Sequence, residues 1–298
     1  MGMVELSVEI DFTFIERILA YLENREGHAI PKIIEHEAAR GVHAHASRFR
    51  NTDKDLLDFW VDKLNRESDK GDRQTEQIRR CAEYIRSNVA DFRRASEEIA
   101  AFLPADLRLS CKLYPIVGYD IGIVSEGNAF LNLGHPLFHE HERELLYIAM
   151  HELHHVGYSH YNPIYSLDEL ETTRDLLRIV KHSTHLEGLA VYAPFGRRRR
   201  ENGFAHRDYA VLNDRRRRSK ATSEFLGIVE EFENEAERPL NEDDLRVLNR
   251  MSDGDRLWYV GGAHMAQAID RRLGREALNR TIVEGPDSFF AAYEKSMA

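Results

Sequence analysis

The sequence predicts an α+β fold dominated by helices, and three observations support it. Apolar residues recur at helical spacing through most of the chain, residues 107–134 alternate with period two instead, and a further alternating run opens the chain. That opening run is Leu6, Val8, Ile10 and Phe12, a strand pattern. Thr13 with Glu16 then has the form of a capping box, starting a helix through Ile15, Ile18, Leu19 and Leu22. Helical patterns follow at 31–48 and 53–67, the second announced by Thr52 and Asp55. From 72 to 103 the stripe is clearest, with Ile78, Ile85, Phe92 and Ile99 on one face and Cys81, Ala82, Val89 and Ala95 filling it, until Pro104 stops the helix.

The character then changes. Leu109, Cys111 and Leu113, then Tyr119, Ile121 and Ile123, then Ala129, Leu131 and Leu133 form short alternating runs punctuated by Gly118, Gly122, Gly127 and Gly134. They predict a small, mostly antiparallel sheet of hairpin-linked strands. Beyond Gly134 the pattern is helical, apart from loops expected around 159–167 and 194–214. Residues 1–105 are therefore expected to form an N-terminal helical region packed on a core built from 106–298.

Composition narrows the function. With 42% hydrophobic and 31% charged residues among 298, the chain can bury a substantial core and keep a solvated surface, which argues against disorder. No apolar run is long enough to span a bilayer, and the start of the sequence lacks the basic and apolar segments of a signal peptide, so a cytoplasmic location is expected. Two cysteines, Cys81 and Cys111, make no disulfide framework, and Cys81 reads as a small buried hydrophobe. A net charge of −10 disfavours a general nucleic-acid binder. The charge is uneven: residues 197–220 carry ten Lys or Arg against three acids, and residues 221–255 carry eleven acids against three bases. The runs Arg197–Arg200 and Arg215–Arg218 point in all directions on a helix and have few aromatic neighbours, so they read as solvated ends facing an acidic helix at 224–244.

The segment that carries chemistry is His151-Glu152-Leu153-His154-His155, an H-E-x-x-H pattern. Imidazoles four residues apart leave one face of a helix one turn apart, close enough for both to reach one tetrahedral metal. The glutamate between them is placed to take a proton from a metal-bound water. Leu145, Leu146, Ala149, Met150, Leu153 and Val156 form one apolar arc, with His151 and His155 outside it and Glu152 near its edge. A carboxylate at that edge is expected to lose solvent and gain basicity, as a general base near neutral pH requires. His154 points away from Glu152 and reads as a surface residue, and His135, His139, His141 and His160 read as surface groups or groups behind the ligands and not as ligands. A strand edge beside such a helix can pair with an extended peptide, and Asn128 to Gly134 is the nearest candidate.

Two histidines leave a catalytic zinc one protein ligand short. Downstream lies His182-Ser183-Thr184-His185-Leu186-Glu187-Gly188-Leu189-Ala190. H-E-x-x-H followed on a second helix by E-G-x-A resembles the gluzincin class of metallopeptidases. With Tyr259 to Ala266 and Phe289, Phe290 and Tyr293, the likeness extends to bacterial and archaeal families described as zinc-dependent peptidases of unassigned function. It covers roughly 107–298. The resemblance implies a zincin-like catalytic domain, Zn²⁺ as cofactor, Glu187 as third ligand, and Gly188 and Ala190 as small residues that let the H-E-x-x-H helix and this second helix approach. It also implies an oxyanion donor on a later helix, for which Tyr259 and His264 on a helix at 255–273 are the candidates.

Two features depart from the best-known members. Thirty-one residues separate His155 from Glu187, a longer spacing, and Val191 stands where an aspartate often braces the first histidine. Glu169 and Glu171 compete as ligands, but they belong to an acidic helix start, Asp168-Glu169-Leu170-Glu171; His185 is a further, less favoured ligand. Two imidazoles and one carboxylate suit zinc over iron or manganese. The expected function is hydrolysis of a peptide or protein substrate, with Glu152 as general base. The rivals are a non-peptide amide, ester or epoxide hydrolase on the same site, and a silent metal-binding regulator that uses the arginine-rich segment.

Overall fold

The computed structural model describes residues 4–24, 29–163 and 170–298. By its internal contacts the chain divides into two units. One comprises Glu5–Ala100 with Arg108–Val156, and the other is built on Ala101–Leu107 with Gly157–Ala298.

Among the described residues, the first unit holds every strand. Its elements are β1 (Glu5–Ile10), α1 (Thr13–Asn24), α2 (Ile30–Ile34), α3 (Glu37–Arg48), α4 (Leu56–Asp69), α5 (Asp72–Ser87), α6 (Val89–Ala100), β2 (Arg108–Ile116), β3 (Gly122–Ser125), β4 (Asn128–Asn132), α7 (Pro136–Glu140) and the larger part of α8 (Glu144–Tyr161). Local chemistry sets several ends. The Asp11 carboxylate accepts the Thr13 N–H at 2.9 Å, so Asp11, and not a Thr13 capping box, opens α1. Asp55 caps α4 by accepting the Asp58 N–H. The helix expected over 72–103 is two helices with a break at Asn88, although Ile78, Ile85, Phe92 and Ile99 are all buried as the stripe requires.

The sheet order is β1-β2-β4-β3. β1 pairs parallel to β2 from Glu5 opposite Arg108 to Ile10 opposite Leu113, β2 pairs parallel to β4, and only β3 with β4 is antiparallel. This corrects the expectation of a mostly antiparallel sheet. The hairpin does exist: Glu126 and Gly127 both have positive φ, the conformation that a tight two-residue turn needs and that glycine accepts freely. It docks by its second strand, however, so β4 lies inside the sheet and β3 at its edge. Burial gives the reason. Ala129, Phe130 and Leu131 are all buried, the continuous apolar run of a strand covered on both faces, whereas β3 alternates. Asn128 to Gly134 is therefore not a sheet edge; Gly122–Ser125 is.

The second unit is helical. It contains the end of α8, then α9 (Thr173–Tyr192), α10 (Phe195–Glu201), α11 (Arg207–Asn213), α12 (Arg215–Asn234), α13 (Glu242–Asn249), a π-helical turn (Arg250–Gly254), α14 (Leu257–Leu273), α15 (Arg275–Glu284) and α16 (Pro286–Met297). Two short helices thus occupy the segment 194–214 that was expected as loop, and α8 persists to Tyr161. The acidic segment 224–244 is not one helix, since α12 ends at Asn234 and α13 starts at Glu242. α9 begins with a true capping box between Thr172 and Asp175. Cys81 and Cys111 are free and buried. Among the described residues no helix is long and apolar enough to cross a membrane.

Candidate metal centre and active site

The H-E-x-x-H segment lies in the middle of α8, as its sequence demands. The predicted arc of Leu145, Leu146, Ala149, Met150, Leu153 and Val156 is buried throughout. Burial goes further, because Glu144, Tyr147, Ile148 and Glu152 are also enclosed, and α8 is a core helix more than an amphipathic one. His154 accordingly lies at 0% exposure, which overturns its reading as a surface residue. Of the neighbouring histidines, His141 and His160 are exposed, and His135 and His139 are half-buried.

His151 and His155 do what their spacing predicts. Their Nε2 atoms stand 2.9 Å apart, with ring centroids 4.5 Å apart and planes perpendicular. Two imidazoles sharing one tetrahedral zinc would hold these nitrogens roughly 3.3 Å apart, so a small opening of the pair fits the ion. Glu152 is 5% exposed. Its carboxylate lies against edge strand β3: a Cβ built on Gly122 would sit 2.5 Å from Glu152 Oε1 and 2.8 Å from its Cδ. Any side chain at position 122 would push this carboxylate away. Glycine 122, read from sequence as strand punctuation, is therefore the floor on which Glu152 rests.

On α9, Glu187 is half-buried and is followed by a helix contact made without side chains. A Cβ on Gly188 would stand 2.5 Å from Gly262 Cα and C, and one on Gly262 would stand 2.4 Å from the Thr184 carbonyl oxygen. Gly188 thus serves the crossing of α9 with α14, where the resemblance implied an approach to the H-E-x-x-H helix. One ligand atom from each of His151, His155 and Glu187 lies within 4.8 Å of the others, and these three form the candidate metal-binding group found among the described residues. The donors are two imidazoles and one carboxylate, a set that suits zinc. Glu171 is exposed and outside the group; Asp168 and Glu169 lie outside the described residues.

His182 and His185 are both buried. His185 has a complete set of partners: Tyr158 Oη lies 3.0 Å from Nδ1, and Thr281 Oγ1 lies 3.0 Å from Nε2. The Thr281 hydroxyl proton goes to the Leu278 carbonyl, so its oxygen accepts from Nε2–H, and Nδ1 accepts from Tyr158. Burial, aided by the nearby His182, lowers the His185 pKa to about 3, and the ring is neutral. Burial likewise lowers His182, against the opposing charge of Glu187.

The two oxyanion candidates on α14 have different surroundings. Tyr259 stands three residues before Gly262, on the face that meets α9, and packs on a cluster containing Val191, Phe195 and Tyr209. Burial, then the charge of Glu187, holds its phenol above the ordinary range, with Arg256 acting against them. The Arg256 guanidinium lies 3.3 Å from the Tyr259 ring centroid and forks onto Asp208 through Nε at 2.9 Å and Nη2 at 2.7 Å. Asp208 is 2% exposed, and Arg256 holds a left-handed φ of 56° at the start of α14. An arginine in that region is strained, and the bidentate pair with Asp208 offsets the strain. His264 instead meets Thr222 Oγ1 at 3.0 Å through Nδ1, and burial lowers its pKa, with Arg218 and Arg271 adding to the effect.

Sequence reasoning missed Asp208 and Arg256. Their only sequence signal was an Asp-Tyr pair between the two arginine runs and an Arg-x-x-Tyr well downstream of them. It also misplaced two of the eight arginines in the runs: Arg197 is 7% exposed and Arg198 0%, with the Arg198 guanidinium 3.6 Å over the Tyr209 ring and donating to the Gly203 carbonyl at 3.0 Å. Arg197 donates to Glu201 at 2.9 Å.

A small mixed sheet with an H-E-x-x-H helix and a two-histidine, one-glutamate donor set defines a protein with a candidate zinc centre. The chain belongs to the family described as "Putative zinc dependent peptidase (DUF5700)", whose model matches residues 33–298. That match takes in α3 to α6 and so reaches well beyond the 107–298 over which the resemblance was legible. No curated protein and no solved structure matches the chain.

Proposed function

We propose that this protein is a gluzincin-type zinc peptidase in which His151, His155 and Glu187 hold the ion and Glu152 is the general base. The observation that carries the reading is the grouping of those three ligand atoms within 4.8 Å, with the Glu152 carboxylate fixed on the adjacent helical position. Bound there, zinc supplies polarisation of the scissile carbonyl and a lowered pKa for the attacking water. Glu152 takes the proton of that water at Oε1 and returns it to the leaving nitrogen.

An extended substrate pairs with the free edge of β3, whose first residue, Gly122, touches Glu152. Tyr259 donates to the developing oxyanion, supported by its nearness to Glu187 and by Arg256 stacked on its ring. His264, committed to Thr222, is the weaker candidate. The test is Glu152→Gln assayed on a peptide library alongside metal analysis. The variant should keep zinc and lose at least about 100-fold in kcat/KM. Unchanged turnover rejects the base assignment, and absence of zinc from the wild-type protein rejects the metal site.

A further inference from the structure

The second arginine run behaves unlike the first. Arg215 and Arg218, at the start of α12, line a cavity of about 210 Å³ together with Arg199 of α10 and Arg271 of α14; Phe195, Asn213 and Gln267 complete the wall. No Asp or Glu lines it. Among the described residues none of these four arginines is in an ion pair, in a chain whose net charge is −10. Asp214, an acid whose charge acts on Arg218, is occupied as the cap of α12, accepting from the Arg216 and Arg217 N–H groups.

Arg218 is the most enclosed of the four. Its Nη1 donates to the Leu212 carbonyl at 2.6 Å, which fixes the guanidinium, while its buried Nε–H has no acceptor among the described residues. Burial, then the charges of Arg271, Arg215 and Arg199, pulls its pKa below the ordinary arginine value. Four like charges around one concavity repel, and a buried donor without an acceptor is costly. A small anion with several acceptor oxygens relieves both. The neighbouring cavity of about 220 Å³ shares Gln267 and Arg271 and adds Arg272 and His264, so the positive lining continues past the first one.

We propose that the cavity formed by Arg199, Arg215, Arg218 and Arg271 binds a doubly charged oxyanion of the phosphate type, free or as the phosphoryl group of a larger ligand. Guanidinium forks match the geometry of phosphate oxygens, and a volume of this size admits the group with part of an ester substituent. None of these residues belongs to the proposed zinc site, so this inference stands or falls without it.

The experiment is calorimetric titration of the zinc-loaded full chain with inorganic phosphate, and separately with phenyl phosphate, at an ionic strength of about 0.15 M to screen loose surface attraction. Saturable binding of both assigns the site to a phosphoryl group, and binding of inorganic phosphate alone assigns it to the free anion. Arg271→Gln and Arg215→Gln, both at exposed positions, should each weaken binding about tenfold. Arg246→Gln on α13, an exposed arginine outside the cavity, should leave it unchanged. No saturable binding up to about 10 mM, or equal weakening by all three substitutions, overturns the proposal.

Discussion

α8 and α9 each carry histidines within one helical turn, His151 half-buried and His155, His182 and His185 buried, yet the two pairs do different things. On α8 the rings are four residues apart and present their Nε2 atoms to each other at 2.9 Å. On α9 the rings are three apart, and His185 is fully committed to Tyr158 and Thr281. Spacing brings imidazoles to one face in either case. Both ring nitrogens of His185 are taken by protein hydroxyl groups, whereas the α8 rings turn their Nε2 atoms toward one another.

The contrast can be broken at the α8 pair first. His155→Ala should remove bound zinc, lowering affinity by more than the roughly 100-fold that loss of an outer partner costs, as metal analysis after dialysis would show. His185→Ala should leave zinc in place but destabilise the fold by about 3 kcal/mol, since it opens a cavity and strands two hydroxyl groups. Denaturant unfolding with paired metal analysis separates the two; loss of zinc from His185→Ala with an intact fold would erase the distinction. Gly188→Ala should cost about 2 kcal/mol, because its methyl meets the Gly262 backbone, which cannot rotate aside. Gly227→Ala in α12, with nothing within 4 Å, should stabilise by about 0.5 kcal/mol, and similar effects at the two glycines would contradict the close crossing.

A further effect concerns a half-buried histidine of the first unit. His45 on α3 contacts Tyr119 Oη at 3.2 Å, and burial, with a smaller push from Arg48, lowers its pKa from 6.5 to about 4. Its folded value is depressed, so its contribution to stability is complete above pH 6.5 and is lost as pH falls toward 4. At pH 5.5 the loss should be about 1 kcal/mol, and His45→Phe should flatten the pH dependence of unfolding in that window. An unchanged slope would mean that this ring is protonated in the folded state.

Much of this was legible in the sequence where local periodicity decides the outcome. The helices, the opening strand, the hairpin glycine and the His151, Glu152 and His155 constellation all follow from spacing within one or two turns. What was hidden depends on partners distant in sequence. The sheet order turns on which strand of the hairpin docks, though the unbroken Ala129-Phe130-Leu131 run was a usable signal. Burial of Arg198 required Tyr209 to supply a ring, and the Arg256 fork required Asp208, 48 residues away. His154 was misjudged because an apolar arc was taken as the whole buried face, whereas α8 is enclosed on nearly every side.

The parallel pairing of β1 with β2 joins residues about one hundred positions apart in sequence, with six helices emerging in between. Such non-local closure is entropically slow, so the sheet cannot be completed until well after the helical segments have been made. Until then β2 offers one unpaired edge, and the β3–β4 hairpin that supports Glu152 is anchored to an unfinished platform. A shortened chain lacking the first twelve residues would keep every residue of the candidate site and yet be prone to edge-to-edge aggregation.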